Sequence, residues 1–298
     1  MQQPALGQTQ DRPFRQVDVF TGTPYRGNGL AVVGDGSGLS DEQMQRFARW
    51  TNLSETTFLL PPEHETADYR VRIFTPGNEL PFAGHPTLGS CHAWLEAGGK
   101  PRNREFIVQE CKVGLVRIRR EAARLAFAAP PVKRSTPSPA VLAQVAAAMG
   151  LKTSQILAAQ TLDNGPVWLG LLLDSPQTVL RLSPDHLELK TQGHNVGVAA
   201  VYSGAPAAGP HLEVRGFCSP MGIPEDPVTG SLNASLAQWL IEDGHMPSRY
   251  LAAQGACLDR AGRVYIEREA NGQAASASPG PVWVGGESVT CISGRVTL

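Results

Sequence analysis

A chain of 298 residues, 42% of them hydrophobic, is long enough to build two domains that each have their own core. Its 26 lysines and arginines balance 27 aspartates and glutamates, and no run of like charges occurs. This balance argues against nucleic acid or an anionic membrane surface as the partner, and no stretch of roughly 20 apolar residues could span a bilayer. A small molecule is therefore the expected partner.

The start of the chain lacks the basic and apolar segments of a signal peptide, so we predict a disordered tail over residues 1–11 of a cytoplasmic protein. The cysteines are odd in number and form no CxxC pair, which argues against a disulfide framework or a zinc knuckle. We expect most of them to be buried thiols. They are Cys91, Cys111, Cys218, Cys257 and Cys291.

The first ordered segment, FRQVDVFTGTPYRGNGLAVV, consists of two β-prone runs separated by Gly, Pro and Asn, which predicts a hairpin. Asn28 falls in the predicted turn, where the simplest interpretation is a residue that tolerates a left-handed backbone. A capping box formed by Ser40 and Gln43 then predicts a helix. Its buried face should carry Met44, Phe47 and Ala48.

After this helix, residues 56–59 predict a strand, which places Glu55 at the strand entrance. Considered alone, Glu55 is best interpreted as an ordinary surface carboxylate. Residues 67–76 predict another strand. Residues 105–130 predict a strand pair with a turn near Gly114.

A composition break rich in Pro and Ser, APPVKRSTPSPA, follows and marks the predicted domain boundary. The N-terminal domain then spans residues 12–128 and the C-terminal domain 129–298, whose last strand could pack on the first domain. Many short strands with few helices in each half favour an antiparallel α+β fold over a doubly wound parallel sheet. The predicted elements of the second half are a helix at 139–150, strands at 165–173, 195–202 and 211–220, mobile loops at 204–210 and 270–281, and a closing hairpin at 281–298.

One short element occurs twice. When HPTLGS and DPVTGS are aligned with His85 opposite Asp226, the prolines, glycines and serines coincide at an offset of 141 residues. Each copy predicts a helix that begins at its proline. Glycine in a first turn allows close approach, and first-turn N–H groups lack helical partners, so two facing helix starts would form a pocket for a carboxylate.

The two copies differ in how readily they are explained by structure alone. Asp226 before a proline is an ordinary helix N-cap, whereas His85 is not a favoured capping residue. Their pairing on a duplicated helix start therefore favours a functional site. Ser231 lies outside a G-x-S-x-G elbow, which disfavours a hydrolase nucleophile and leaves hydrogen bonding to a ligand or to its own helix turn.

Four ordered motifs, NLSETTF, FTPGNELPFAGHPTLGS, DNGP and GIPEDPVTGS, resemble the PhzF-like family of phenazine-biosynthesis isomerases, and the similarity extends to the end of the chain. The resemblance implies the diaminopimelate-epimerase-like fold. In that fold, two pseudo-symmetric halves each wrap an antiparallel sheet or barrel around a central helix, with the active site between them. A homodimer is implied by the resemblance only.

The resemblance also implies roles for individual residues. Glu55 would be the general acid/base, with His85 and Asp226 setting the protonation of the substrate's polar groups. The amides of Gly84 and Gly230, together with Ser231, would hold the substrate carboxylate. Asn28 is a further candidate for substrate binding. The family's isomerisation of trans-2,3-dihydro-3-hydroxyanthranilate implies proton transfer without a metal or an organic cofactor.

Two other functions remain open at this point. Racemases and epimerases of this fold use a cysteine pair, but the offset of 141 places Leu232 opposite Cys91, which argues against a two-thiol enzyme. A different proton-transfer enzyme could use the same carboxylate base on another amino-acid-like substrate. A non-catalytic protein that binds a small carboxylate would also fit the sequence.

Overall fold

The structure, a computed structural model, describes residues 9–204, 209–270 and 280–298 and has the predicted α+β fold with two pseudo-symmetric halves. The elements of the first half are β1 (Asp11–Val19), β2 (Asn28–Val33), α1 (Asp41–Thr51), β3 (Glu55–Leu60), β4 (Tyr69–Phe74), β5 (Glu79–Leu80), α2 (Gly84–Glu96), β6 (Phe106–Cys111), β7 (Gly114–Glu121) and β8 (Arg124–Ala128).

The second half repeats this order, with additional helices on its outer side. Its elements are β9 (Lys133–Ser135), α3 (Pro139–Ala148), β10 (Ile156–Asp163), β11 (Val167–Leu173), α4 (Pro176–Arg181), α5 (His186–Gln192), β12 (Asn195–Val201), β13 (Leu212–Cys218), β14 (Ile223–Asp226), α6 (Gly230–Glu242), β15 (Arg249–Gln254), β16 (Gly262–Arg268) and β17 (Val282–Thr297).

The first half is completed by a strand that crosses from the second half. The first half forms a closed barrel whose strands follow the order β1, β2, β3, β4, β6, β7, β8 and β17. The early part of β17 pairs with β8 and β16, and the later part pairs with β1. In the second half the short strand β9, which follows β8 in the chain, pairs with β10. Strand β17 therefore links the two halves through main-chain hydrogen bonds.

Helices α2 and α6 are the central helices of the two halves. Nine of the thirteen residues are buried in each of them, and neither has a pronounced polar face. A helix that is apolar on all sides is stable only when it is surrounded by other elements, which is the position that a barrel interior provides. The amphipathic helix α1 instead packs its predicted residues Met44, Phe47 and Ala48 against the outer side of its barrel.

The structure changes the predicted alignment of the two central helices. Helix α2 begins at Gly84, two residues before Pro86, and α6 begins at Gly230, three residues after Pro227. Pro86 is tolerated at the third helical position because the first N–H groups of a helix have no partner within it. The predicted start of each helix at its proline is therefore wrong.

The two helices correspond at an offset of 146 residues, from Gly84 to Gly230, and not at 141. Both end in the same hydrogen-bonding pattern, with Gly99 N–H donating to Trp94 and His245 N–H donating to Leu240. The structural counterpart of His85 is consequently Ser231, and the counterpart of Cys91 is Ala237. The predicted equivalence of His85 and Asp226 is wrong because Asp226 ends strand β14, opposite Gly216 of β13.

Several local predictions are confirmed, including the β1–β2 hairpin and the capping box at Ser40. Three others need correction. The segment from 105 to 130 contains three strands because the backbone turns again at Ala122, which has a left-handed φ of 51°. The closing hairpin is wrong, since residues 282–297 form one long strand. Asn28 begins β2 and is not a turn residue.

The predicted tail and the two predicted loops are described by the structure only in part. Residues 1–8 of the expected tail lie outside the described residues, as do 205–208 and 271–279 of the two expected loops. Gln10 and Asp11 are ordered, because Gln10 exchanges backbone hydrogen bonds with Leu298 and Asp11 belongs to β1. Among the described helices, none has the length and apolarity that crossing a membrane requires.

Candidate active site

The site lies where the N-termini of the two central helices meet. A methyl group added to Gly84 would lie 3.0 Å from Cα of Gly230, and one added to Gly230 would lie 3.1 Å from the backbone nitrogen of His85. Only glycine allows the two backbones to approach this closely. The approach directs two sets of unpaired first-turn N–H groups and two positive helix-dipole ends to one region, which suits an anion.

Glu55 and His85 form the first pair of functional groups. Glu55 begins strand β3, His85 is the second residue of α2, and their side chains are 13% and 5% exposed. Glu55 Oε2 lies 3.3 Å from His85 Nε2, but neither atom makes a hydrogen bond of good geometry to any described residue. Buried polar atoms without partners are uncommon, so these two are available to a ligand.

Asp226 and Asn28 form the second pair and join the two halves. Asn28 Nδ2 donates to Asp226 Oδ1 at 2.9 Å and to the carbonyl oxygen of Val228 at 3.0 Å. The same Nδ2 lies 3.5 Å from His85 Nδ1. Both Nδ2 protons are already donated and Nδ2 cannot accept, so a proton on Nδ1 would be repelled, which favours the neutral His85 with its proton on Nε2, the nitrogen that faces Glu55.

Burial controls the ionisation of all three titratable groups. Desolvation, followed by the negative charge of Asp226, raises the pKa of Glu55 well above its ordinary value. Desolvation also raises the pKa of Asp226, against the opposing effect of hydrogen bonds from Thr229 and Asn28. Burial lowers the pKa of His85 to about 3, so its imidazole is neutral at pH 7. The site therefore holds two carboxyl groups whose protonated forms are favoured by their surroundings.

Ser231 occupies the position in α6 that His85 occupies in α2. Its Oγ accepts a hydrogen bond from Trp168 Nε1 at 3.3 Å, and its carbonyl oxygen accepts one from Asn164 Nδ2 at 3.0 Å. Ser231 is half-buried and follows Gly230, which abuts the backbone of Gly84 and His85. The structure thus brings Asn28, Glu55, His85 and Asp226 into one connected cluster, with Gly84, Gly230 and Ser231 at the adjoining helix starts.

Sequence reasoning missed the residues that hold this cluster in place. Thr229 donates to Asp226 Oδ2 at 2.6 Å, and Gln254 bonds both residues. Thr229 could have been found from the EDPVTGS motif, but Gln254 belongs to strand β15, which was not predicted. Asn164 lies in the DNGP motif, which carries the family resemblance but specifies no role for this side chain.

The cysteines differ in burial, and one of them lies close to the site. Cys91, Cys111 and Cys218 are buried, as predicted for most of the thiols, whereas Cys257 is exposed and Cys291 is half-buried. Burial raises the pKa of Cys218, and the charges of Asp226 and Glu55 raise it further. Cys218 is therefore a neutral thiol close to both carboxyl groups.

This arrangement suits proton transfer. A carboxyl group whose pKa is raised binds a proton more tightly, so its ionised form is a stronger base and its protonated form can return the proton. The neutral His85 imidazole can donate through Nε2. The abutting helix starts can fix a substrate anion beside these groups.

Comparison with known proteins shows relatives along almost the whole chain. The family profile for phenazine biosynthesis-like proteins (PhzC-PhzF) matches residues 17–294. Antisense-enhancing sequence 1 of Schizosaccharomyces pombe is 36% identical over 96% of this chain and 98% of that protein. The trans-2,3-dihydro-3-hydroxyanthranilate isomerase of Pseudomonas aeruginosa is 34% identical over 95% of this chain and 98% of that enzyme.

The fold has the same relatives. A crystal structure of a PhzF-family phenazine biosynthesis protein from Bacillus anthracis superposes with a TM-score of 0.83 at 21% identity, covering 97% of this chain and all of that one. The fold is therefore the one that the sequence motifs implied, and isomerase is the class of enzyme activity that the comparisons support. The chain belongs to the phenazine biosynthesis-like family of proteins, the PhzF family.

Proposed function

We propose that this protein is a cofactor-independent isomerase that moves a proton within a small cyclic carboxylate, such as trans-2,3-dihydro-3-hydroxyanthranilate. The observation that carries the proposal is the largely buried pair of Glu55 and His85, whose facing atoms lie 3.3 Å apart beside two abutting helix starts. The relative that is 34% identical over nearly its whole length is named for this isomerase activity.

The helix starts orient the substrate. Its carboxylate is held by the first-turn N–H groups of α2 and α6, at Gly84 and Gly230, with the Ser231 hydroxyl as a further donor. This contact fixes the ring, so that one C–H bond points at Glu55. Orientation of this kind replaces a bimolecular encounter with a step inside one complex, which lowers the barrier by reducing the loss of entropy.

Glu55 moves the proton. In its ionised form it removes a proton from the substrate carbon, and the electrons of the broken C–H bond shift into the conjugated system. The resulting protonated Glu55 returns the proton to a different carbon, so the carboxylate is regenerated and no proton is consumed. The raised pKa of Glu55 makes it a stronger base, and general acid/base catalysis of this kind contributes about 10²- to 10⁴-fold in rate.

His85 and Asp226 act on the polar groups of the substrate. The neutral imidazole of His85 presents its Nε2 proton next to Glu55, where it can stabilise negative charge that develops on the substrate. Asp226, held by Asn28 and Thr229, accepts a hydrogen bond from the amino or hydroxyl group. No step in this scheme requires a metal or an organic cofactor.

The substrate is tested by proton NMR in D₂O. Purified protein is incubated with trans-2,3-dihydro-3-hydroxyanthranilate and with a panel of cyclic amino acids, before and after dialysis against EDTA. We expect isomerisation with deuterium incorporation that is insensitive to EDTA and is reduced at least about 100-fold in Glu55→Gln. The panel member that reacts identifies the substrate class, including the amino-acid-like substrates of the alternative proton-transfer enzyme.

Glu213→Gln is the matched control. Glu213 is also a buried carboxyl group whose pKa is raised by burial. It lies near the start of strand β13, where it accepts a hydrogen bond from the Tyr202 hydroxyl. Activity should survive this change. Exchange that persists in Glu55→Gln would refute the assigned base. If the wild-type protein binds panel members without exchange, it is a carboxylate-binding protein.

Two further expectations from the sequence belong to the proposal, and the first of them rests on the family resemblance alone. We propose that the enzyme is a homodimer and that it acts in the cytoplasm. Light scattering during size-exclusion chromatography would test the first expectation, since a monomer would elute with a mass of 31.8 kDa. Cell fractionation would test the second.

A further inference from the structure

We infer that Gln254 is a positioning residue of the active site, which acts through Thr229 to hold the carboxylate of Asp226 in a fixed orientation. The inference rests on a network of buried hydrogen bonds behind the site. It deepens the proposed function, because Asp226 is one of the groups that face the substrate in that scheme.

Gln254 is the last residue of β15 and is 1% exposed. Its Oε1 accepts hydrogen bonds from the backbone N–H of Thr229 at 3.0 Å and from Asn233 Nδ2 at 2.9 Å. Its Nε2 donates to the carbonyl oxygen of Asp226 at 3.0 Å and to Thr229 Oγ1 at 2.9 Å. Both amide atoms therefore make two hydrogen bonds each.

The chemistry of these partners fixes the direction of every bond. A backbone N–H can only donate and a carbonyl oxygen can only accept, so the oxygen and nitrogen of the Gln254 amide cannot be exchanged. Because Gln254 Nε2 donates to Thr229 Oγ1, the single hydroxyl proton of Thr229 is left to point at Asp226 Oδ2, 2.6 Å away. Asn28 Nδ2 donates to the other oxygen. Both oxygens of Asp226 thus receive a donor.

The network sets the ionisation of Asp226 as well as its orientation. Hydrogen bonds donated to both oxygens favour the carboxylate, whereas burial favours the neutral acid. The other ionisable groups around Asp226 are Glu55 of β3, His85 of α2, Cys218 of β13 and the neighbouring Glu225. The charge of Asp226 in turn raises the pKa of Glu55. The orientation of the Thr229 hydroxyl therefore influences the proposed base through Asp226.

The first half of the chain provides an internal comparison. Gln109 on β6 is fully buried in the matching position, and its Nε2 donates to Thr87 Oγ1 in the first turns of α2. Its Oε1 accepts from Tyr69. Gln109 thus anchors a central helix as Gln254 does, but among the described residues its side chain makes no hydrogen bond to an acidic residue. Gln109 therefore serves as a control, because it has the structural role of Gln254 without the connection to the active site.

The test uses four variants of the full-length protein. Gln254→Glu replaces the donor to Thr229 with an acceptor, so the hydroxyl should turn away from Asp226. Thr229→Val removes the hydroxyl with little change in shape, and Thr229→Ser retains it. Gln109→Glu makes the matched change in the first half. Circular dichroism and thermal unfolding establish which variants fold.

The first readout does not depend on a substrate. The ¹³C-carboxyl resonance of Asp226, assigned with Asp226→Asn in protein labelled at aspartate, is followed as a function of pH. We expect the titration midpoint to rise by about one pH unit in Gln254→Glu and Thr229→Val, and to stay at the wild-type value in Thr229→Ser and Gln109→Glu. An unchanged midpoint in a folded Gln254→Glu or Thr229→Val protein would overturn the inference, as would an equal rise in Gln109→Glu.

The second readout is catalysis. In Gln254→Glu and Thr229→Val we expect kcat to fall about tenfold with little change in KM, and the pH profile of kcat to move with the Asp226 midpoint. A loss of activity without a movement of this profile would indicate a merely structural role and refute the inference. If the wild-type protein shows no exchange with any substrate, the proposed function fails, and the carboxyl titration still decides the role of Gln254.

Discussion

Replacing the proposed base should stabilise the protein. Glu55 has an ordinary pKa of 4.5 when exposed, and burial raises this pKa in the folded protein, so folding favours the protonated form. As the pH rises above 4.5, the unfolded chain releases this proton while the folded protein retains it, and stability falls until the pH passes the folded pKa. Glu55→Gln removes the titration and should remove the loss.

The size of the effect follows from the pH interval. Each unit of difference between the folded and unfolded pKa costs about 1.4 kcal/mol once both states are ionised. At pH 7 the unfolded chain has passed its pKa by about 2.5 units, so the penalty from Glu55 has a ceiling of about 3.4 kcal/mol. We expect the free energy of unfolding of Glu55→Gln to exceed that of the wild type by about 1–3 kcal/mol at pH 7, which raises Tm by a few degrees. At pH 4 the two proteins should have nearly the same stability.

Urea unfolding at half-unit steps between pH 4 and 8 measures this difference directly. Glu105→Gln provides the control, because Glu105 is exposed and the same substitution there should give a flat difference. The reasoning is refuted if the stability of Glu55→Gln relative to wild type is independent of pH. It is refuted also if the difference has the opposite slope, which would mean that folding favours the ionised form of Glu55.

Three other predictions concern the same region. Gly230→Ala should lower the free energy of unfolding by about 1–3 kcal/mol and remove most of the activity, because the added methyl group would lie 2.9 Å from Cα of Gly84. Gly294 has open space around it, so Gly294→Ala should leave the stability measured by urea unfolding unchanged. Asn28→Asp places a second carboxylate next to Asp226, so its thermal stability should decrease from pH 5 to pH 8 more steeply than that of Asn28→Ala. A thiol reagent at pH 8 should modify Cys257 rapidly in the folded protein and reach the buried Cys218 only on unfolding, which a time course of released chromophore would show.

The fold was predictable from the sequence because its signals are local and repeated. The capping box at Ser40 and the β-prone runs around the first turn each specify an element without reference to the rest of the chain. The last strand was mispredicted for a different reason. The pattern of residues 281–298 predicts a hairpin, but the outer part of β17 is extended because β1 supplies its hydrogen-bonding partners from the opposite end of the chain.

The cluster could be predicted only in part. Glu55 and Asp226 were expected in one site because of the family motifs, and nothing in their local sequence specifies that Asn28 would connect Asp226 to His85. These contacts span 198 and 57 residues of sequence. Gln254 was missed because its role depends on the register of β15 against β13, which places it behind Thr229. Register across distant strands is set by packing of the whole barrel and not by a local pattern.

The correspondence between the two halves explains how a symmetric scaffold can carry asymmetric chemistry. Two central helices of equal length and two facing glycines bring the helix starts together. This close approach constrains the backbone alone. The side chains at equivalent positions are free to differ, and they do: histidine in one half and serine in the other. In the proposed mechanism, the shared helix starts hold the substrate carboxylate because both attract an anion. The chemistry in that mechanism is assigned to residues that the halves do not share, with Glu55 as the base and Asp226 as a hydrogen-bond acceptor for the substrate's polar groups.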